Sequence, residues 1–198
     1  ACRVYNPDIS IEKIMTELGA SKQRVKFYAA DLTDLDATLA MFERCRADFG
    51  EIHAVVTSAG GDISGSDLAA AGGKAANNSF FIEYQEHENI FRRNYYTCLH
   101  TLRAVVPSMV ENRFGKIVTV SSVNGAFGVA KETSYAVAKC AVVQLTRSLA
   151  TELRPFGINV NCLMPGPVAT DRFLSTLKGR NAHDLKDIHS TERLQRVG

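Results

Sequence analysis

Tyr135 and Lys139 are the two residues in this sequence of 198 whose types and spacing most directly suggest chemistry. They lie four positions apart in a segment with helical periodicity, so their side chains share one face of the helix, a turn apart. A free tyrosine has a pKa of about 10, and an ammonium group beside it favours the phenolate, which brings proton transfer within reach at neutral pH. Since many helices carry this spacing without a catalytic role, the pair needs support from its surroundings.

A hydroxyl group precedes this pair at the end of a predicted strand. The apolar run from Lys116 to Val120 leads into Ser121 and Ser122, and Ser122 stands thirteen positions before Tyr135. Open parallel α/β sheets bind their ligands at the carboxyl ends of the strands. Ser122 is therefore expected at the same site as the Tyr and Lys pair. The alternative is a turn hydroxyl that satisfies local backbone groups, a duty for which Ser121 is the better candidate.

The elements that must position these residues alternate along the chain. Apolar residues recur every three or four positions in some segments and form short continuous runs in others. The pattern predicts helices over Ser10–Leu18, Asp34–Phe49, Glu86–Glu111 and Ser134–Arg154, and strands over Val25–Ala30, Ile52–Val56, Lys116–Ser121 and Ile158–Leu163. Such alternation predicts an α/β fold: a Rossmann-like doubly wound parallel sheet in a single domain, with helices on both faces.

The composition argues against several classes of protein. The net charge is +2, from 23 basic and 21 acidic residues, and no run of like charges points to nucleic acid or an anionic membrane surface. No apolar stretch approaches the roughly 18 residues of a spanning helix. Five cysteines, odd in number and without a C-x-x-C pair, indicate reduced thiols and a cytoplasmic location. His183 and His189 have no ligand cluster around them, so no metal site is expected.

Taken together, these motifs resemble the short-chain dehydrogenase/reductase family. Its serine and Y-x-x-x-K motifs stand here as Ser122 and as Tyr135 to Lys139, and its helix asparagine, which holds a water in the proton relay, matches Asn94. The resemblance implies that Tyr135 gives a proton to the substrate oxygen in reduction and removes it in oxidation. Lys139 would lower the pKa of Tyr135 and bond the nicotinamide ribose, and Ser122 would orient the reacting oxygen. Without the other motifs, Asn94 would be taken as a solvated helix residue.

The resemblance also implies where a dinucleotide cofactor binds. Thr57 to Gly60 reads T-S-A-G where the family usually has N-N-A-G beneath the cofactor. Ala59 and Gly60 are small enough to let the backbone approach the cofactor closely, although an ordinary glycine turn would look the same. Asp31 matches the family's aspartate near the adenine ring, and it could equally cap the helix that follows.

A second cofactor contact is implied after the last predicted strand. The segment that contains Pro165, Gly166, Val168 and Thr170 resembles the family's P-G-x-V-x-T, whose backbone and Thr hydroxyl meet the nicotinamide carboxamide. The cofactor would be NADP or NAD. Around Arg3–Asn6, where the second strand of the sheet would end, there is no acid to take the ribose hydroxyls, which favours NADP.

One motif of the family is missing from the sequence. No G-x-x-x-G-x-G loop opens a first helix, so we expect the first strand, the glycine loop and one helix to lie upstream, and a last helix and strand downstream. Residues 1–198 would then form one NAD(P)-binding catalytic domain that is incomplete at both ends. Within it, 62–84 is predicted to be an enlarged loop and 171–193 a polar substrate lid.

The sequence therefore predicts an NAD(P)-dependent oxidoreductase that interconverts a carbonyl and an alcohol on a small molecule, with no nucleic-acid or membrane partner. The alternative is a catalytically silent member of the same fold that acts as a binding or regulatory subunit, since the glycine loop is absent and Thr57-Ser58 departs from the family pattern. The two long predicted helices resemble those through which the family forms homodimers and homotetramers. No motif identifies the substrate.

Overall fold

A computed structural model describes residues 26–61, 80–128, 132–166 and 168. Several predicted features lie outside these residues. They are the helix at 10–18, the strand end near Arg3, most of the enlarged loop (62–79), His183, His189, Thr170 and the substrate lid at 171–193.

Three parallel strands form the centre of the described structure. β1 (Ala54–Thr57), β2 (Gly115–Val120) and β3 (Ile158–Leu163) are hydrogen-bonded in that order. Thr57 stands opposite Thr119 in the register between β1 and β2, and all three strands point the same way. Their carboxyl ends therefore meet at one edge of the sheet, the edge at which parallel α/β sheets bind ligands.

Helices precede and connect these strands. They are α1 (Leu35–Phe49), α2 (Tyr84–Phe91), a π-helical segment (Arg92–Tyr96), α3 (Thr97–Glu111) and α4 (Thr133–Leu153), with short 3-10 turns at Val123–Gly125 and Arg154–Phe156. The run from α2 to α3 connects β1 to β2, and α4 connects β2 to β3. Connections between parallel strands of one sheet are almost always right-handed. Because both connections here lead to the next strand in the same direction across the sheet, their helices lie on the same face.

The hydrophobic core lies between that face of the sheet and the helices. Alternate residues of each strand point into it, and burying each large apolar side chain contributes about 1.5–3 kcal/mol. The buried cluster consists of Cys98, Leu102, Val105, Met109, Ile117, Val142, Leu153, Ile158 and Val160. On the opposite face of the described strands, Val56 and Leu163 are 61% and 56% exposed.

The first described helix begins with a side-chain cap. The Asp34 carboxylate accepts a hydrogen bond from the Ala37 amide at 2.9 Å, and Gly50 ends the helix at a φ of 77°. An N-cap of this kind is worth about 1 kcal/mol. The prediction of a helix over 34–49 is confirmed, and the capping role suggested for Asp31 belongs instead to Asp34.

Three other boundaries differ from the predictions. Residues 26–30 are not in a strand, because none of the described strands lies beside them to supply the hydrogen bonds that define one. The predicted loop at 62–84 ends one residue too late, since α2 starts at Tyr84. The predicted continuous helix over 86–111 is interrupted by the π-helical segment.

The π-helical segment is stabilised by side chains that bond to backbone carbonyls in and just before it. The Thr97 amide donates to the Arg92 carbonyl, five residues back, which marks the wider turn. The Thr97 hydroxyl donates to the Arg93 carbonyl at 2.7 Å, and the side-chain amide of Asn94 donates to the Ile90 carbonyl at 2.9 Å. Local side-chain bonds of this type compete with regular helix pairing, and single π turns of this kind are frequent at functional sites.

Thr97→Val should lower the free energy of unfolding by about 1–3 kcal/mol, because the buried hydroxyl also reaches the Ala59 carbonyl, at 3.3 Å, in the turn after β1. Chemical denaturation of the full-length protein measures this change. Thr101→Val is the matched control: that hydroxyl is also buried, but it bonds only to the Thr97 carbonyl one turn back. Equal losses from both variants would contradict the role given to Thr97.

Candidate active site

Backbone pairing continues past the carboxyl end of β2 and draws two loops together. The Ser121 amide donates to the Leu163 carbonyl at 2.8 Å, and the Val123 amide donates to the Pro165 carbonyl at 3.1 Å. Ser122 lies between these two bonds. The predicted serine of the site and the predicted Pro165-Gly166 contact are thus held side by side at one edge of the sheet.

Lys139 carries its charge in the interior of this edge. The residue is 4% exposed, and its ammonium group donates to the Val120 carbonyl at 3.0 Å. The same nitrogen lies 5.7 Å from the centre of the Tyr135 ring, so the expected pairing of these side chains on one helix face is observed. Burying an ammonium group is costly unless it is hydrogen-bonded, and such groups concentrate at functional sites.

Two residues outside the predicted site hold the backbone of Lys139 against β2. The Ser121 hydroxyl donates to the Lys139 carbonyl at 2.8 Å. A methyl group at Gly125 would lie 2.9 Å from the carbonyl carbon of Lys139 and 3.0 Å from the Ser121 hydroxyl, so only glycine allows this approach. The motif S-S-x-x-G, from Ser121 to Gly125, is the sequence signal that could have identified both.

The hydroxyl groups of Ser121 and Ser122 make different hydrogen bonds from those expected. Ser121 was expected to satisfy a local backbone group, yet its hydroxyl bonds to α4, eighteen residues away. The Ser122 hydroxyl makes the local bond, accepting from the Asn124 amide at 3.2 Å. That bond uses Ser122 as an acceptor, and the hydroxyl hydrogen can still be donated to another group.

Asn94 is fully buried, and both the oxygen and the nitrogen of its side-chain amide bond to the turn after β1. Its oxygen accepts from the Gly61 amide at 2.9 Å, and its nitrogen donates to the Gly61 carbonyl at 3.0 Å. A methyl group at Gly60 would lie 2.8 Å from that oxygen and 3.4 Å from the Lys139 ammonium nitrogen. Asn94, Gly60 and Lys139, predicted separately, therefore converge on one spot.

The altered T-S-A-G turn has its own support. The Thr57 hydroxyl and the Cys98 thiol, on α3, are 3.2 Å apart and buried. The position where the family usually has an asparagine is thus tied to a helix. Burial raises the pKa of the Cys98 thiol, although the hydrogen bond with Thr57 acts in the opposite direction.

Asp31 lies in a turn that it stabilises itself. Its carboxylate accepts from the Thr33 amide at 2.9 Å and from the Thr33 hydroxyl at 2.8 Å. Partial burial acts to raise the pKa of Asp31, but the pKa lies below its usual value, and the hydrogen bonds from Thr33 are among the interactions that lower it. A role beside an adenine ring stays a prediction, as do those of Val168, which is 55% exposed, and Thr170, outside the described residues.

The described part of the chain shows no sign of a metal, disulfide or membrane-spanning site. Its residues contain no group of three or more His, Cys, Asp or Glu side chains placed to hold a metal ion. Its four cysteines are free thiols. None of its helices is long and apolar enough to cross a membrane.

Comparison with known proteins identifies the family. The sequence profile of the short chain dehydrogenases matches residues 4–180, which is most of the chain and includes every residue of the site. The chain belongs to the short-chain dehydrogenase family. The resemblance inferred from Ser122, Tyr135 and Lys139 is therefore confirmed at the level of the family.

Two curated relatives show how much of a family member this chain represents. It is 32% identical over 152 residues to nodulation protein G of Azospirillum brasilense, an alignment that covers 76% of this chain and 57% of that protein. It is 33% identical over 141 residues to the 3-oxoacyl-[acyl-carrier-protein] reductase FabG of Haemophilus influenzae, covering 71% and 53%. The chain thus spans little more than half the length of these relatives.

A solved structure supports the fold. ElxO with NADP bound superposes with a TM-score of 0.73 at 21% identity, covering 90% of this chain and 68% of that chain. The Rossmann-like parallel α/β fold predicted for this short-chain dehydrogenase is confirmed by this agreement and by the family match. At this identity the likeness concerns the fold alone.

Gly60→Ala should destabilise the protein by about 1–3 kcal/mol more than Gly61→Ala. Both glycines have a positive φ, 148° and 155°, so both substitutions strain the backbone, but only at Gly60 would the added methyl group collide with Asn94. Unfolding of the full-length protein in denaturant measures the difference. A Gly61 variant as unstable as the Gly60 variant would show that backbone strain, and not contact with Asn94, governs this turn.

Proposed function

We propose that the protein is an NAD(P)-dependent oxidoreductase that interconverts a carbonyl and an alcohol, with Tyr135 as general acid and base. The observation that carries this proposal is the buried ammonium group of Lys139 beside the Tyr135 ring. A structural lysine gains little from such a position, whereas a positive charge beside a phenol stabilises the phenolate that a proton-transfer step forms.

Each residue of the site has a chemical task in this proposal. Tyr135 donates a proton to the substrate oxygen in reduction and takes it back in oxidation. Ser122, whose hydroxyl hydrogen is not used in its bond with Asn124, donates to the same oxygen and orients it. Asn94 keeps the turn after β1 in place beside Lys139 and supports the proton relay.

The residues at this edge fit a dinucleotide. Ala59 and Gly60 form a turn without bulky side chains, so a cofactor could approach its backbone closely. Asn94 supports this turn by its hydrogen bond to Gly61 and its contact with Gly60. Lys139 would bond the nicotinamide ribose, with Pro165 and the residues after it at the carboxamide. The cofactor, when bound, supplies or accepts the hydride. NADP is preferred to NAD in this proposal.

The remaining assignments belong to the same proposal. Asp31 would lie near the adenine ring, and Gly166, Val168 and Thr170 near the nicotinamide. Residues 171–193 would close over the substrate, with residues 62–83 forming an enlarged loop. The substrate would be a small or medium carbonyl compound or alcohol, such as a 3-oxoacyl thioester, a cyclic ketone or a polyol; the relative FabG is named as a 3-oxoacyl reductase.

Tyr135→Phe should lower turnover by about 10²–10⁴-fold while leaving nucleotide affinity nearly unchanged, because it removes only the proton donor. The full-length protein is assayed by the absorbance of reduced nicotinamide against a panel of ketones, 3-oxoacyl thioesters and polyols. Tyr28→Phe is the control, since that hydroxyl bonds Asp48 on an exposed surface away from the site.

Three outcomes of this assay are informative. Full activity of the Tyr135 variant would overturn its role in proton transfer. A wild-type protein that binds nucleotide but turns over no member of the panel would favour a silent binding or regulatory subunit. A wild-type protein that neither binds nucleotide nor turns over any substrate would overturn the proposed function.

We also propose that the protein forms a homodimer or homotetramer through the helices around the site. A groove of about 530 Å³ on the α2 and α3 side is lined by the rings of Tyr84, Phe91 and Tyr96 together with polar and charged side chains. Tyr84 is largely exposed. Val137 on α4 is also exposed. Light scattering of the purified full-length protein should give two or four times the protomer mass, and Tyr84→Glu with Val137→Glu should reduce it; a monomeric wild type would refute this assembly.

A further inference from the structure

A hydrogen bond joins α2 to the first turn of α4, directly beside Tyr135. The Nδ1 atom of His87 lies 2.9 Å from the hydroxyl oxygen of Ser134. Ser134 is 1% exposed and is the residue immediately before Tyr135 in the chain. A serine hydroxyl donates or accepts as required, so this bond forms with either tautomer of the imidazole.

The amino end of α4 lacks the usual side-chain cap. Its N-cap residue, Glu132, makes no side-chain capping bond to the helix, and its carboxylate accepts instead from the Asn124 side chain. The first amides of a helix have no partner within the helix, and an end without a cap is free to fray. Contacts from neighbouring elements therefore decide how the first turn of α4 is oriented.

The other end of the Tyr and Lys pair is held by different contacts. One turn further along α4, the Lys139 carbonyl is fixed to β2 by Ser121 and by the close approach of Gly125. These contacts act on the backbone at Lys139. The direction of the turn that carries Tyr135 is set by the neighbours of that turn, and His87 makes a partly buried hydrogen bond to it through Ser134.

One face of α2 and the π-helical segment contacts the surroundings of both Tyr135 and Lys139. His87, Ile90 and Asn94 follow one another at intervals of three and four residues, which places them on one side of the helix. Ile90 is buried between the two polar residues. His87 reaches the residue next to Tyr135, and Asn94 holds the glycine turn that lies against the Lys139 ammonium group.

We propose that His87 is a positioning residue: its bond to Ser134 sets the orientation of the first turn of α4 and so the direction in which Tyr135 presents its phenol. This rests on the proposed function of Tyr135. Proton transfer needs the phenol within hydrogen-bond reach of the substrate oxygen, and a displacement of about 1 Å costs about 100-fold in rate. His87 should therefore affect kcat, with nucleotide affinity and KM nearly unchanged.

A double-mutant cycle in the full-length protein tests the proposal. His87→Phe keeps a ring to stack on Tyr84, whose own ring lies 6.5 Å away, but loses the bond; Ser134→Ala removes only the hydroxyl. Each should lower kcat by about 10- to 100-fold. The double variant should be no slower than either single variant, since both remove the same interaction. His87→Asn, which places a polar atom near the position of Nδ1, should recover most of the rate.

Three results would overturn the proposal: an unchanged kcat in either single variant, losses that multiply in the double variant, or a His87→Asn variant as slow as His87→Phe. His53→Phe is the control for replacing a histidine by a ring. His53 lies just before β1, at the opposite edge of the sheet from the site, and packs against Phe114. The kcat of the His53→Phe variant should equal that of the wild type.

A second measurement separates this proposal from the proposed function. Hydrogen exchange of the amides at 136 and 137 reports opening of the first turn of α4 without any substrate, since the Ala136 amide donates to the Glu132 carbonyl at 2.8 Å. Exchange should be faster in His87→Phe and Ser134→Ala than in the wild type and in His87→Asn. If the wild type turns over no substrate but exchange follows this order, the proposed function fails and the positioning of the turn stands. Equal exchange in all four proteins would refute the positioning role.

Discussion

The structure of the site depends on keeping the ammonium group of Lys139 out of water at the carboxyl edge of the sheet. Such a group must be given hydrogen-bond partners inside the protein, and the Val120 carbonyl is one of them. That requires α4 to lie close to the end of β2. The absence of a side chain at Gly125 permits the approach, and the Ser121 hydroxyl fastens it. The strand, the turn and the helix are therefore arranged around one charge.

The connection between β1 and β2 also contacts the surroundings of the Lys139 ammonium group. The π-helical segment between α2 and α3 directs Asn94 inward, where its amide binds both backbone groups of Gly61. The preceding residue, Gly60, lies against both Asn94 and Lys139. The connection that follows β1 and the helix that follows β2 consequently meet at a glycine. A change in either connection would be transmitted to the environment of the lysine through this contact.

The predictions that succeeded were those that rest on local pattern. A helix predicted over 134–154 is observed at Thr133–Leu153, and the last strand lies where its apolar run predicts it. The predictions that were wrong concern features that need a partner elsewhere in the chain. Residues 26–30 have strand-like composition, but a strand exists only where a neighbour pairs with it, and none of the described strands does so. The π turn likewise depends on Thr97 and Asn94 finding carbonyl groups, which periodicity does not reveal.

The amino-acid sequence by itself determined the type of fold and the family, and it is the source of the proposal that Ser122, Tyr135 and Lys139 carry the chemistry. Residue types and their spacing carry that information, because periodicity and short motifs depend only on neighbours along the chain. The tertiary structure decided that Ser121 hydrogen-bonds to α4, that Asn94 binds the Gly61 backbone, and that His87 contacts Ser134. These contacts join residues 18, 33 and 47 positions apart, and only the packing of helices against the sheet brings such groups within hydrogen-bond distance.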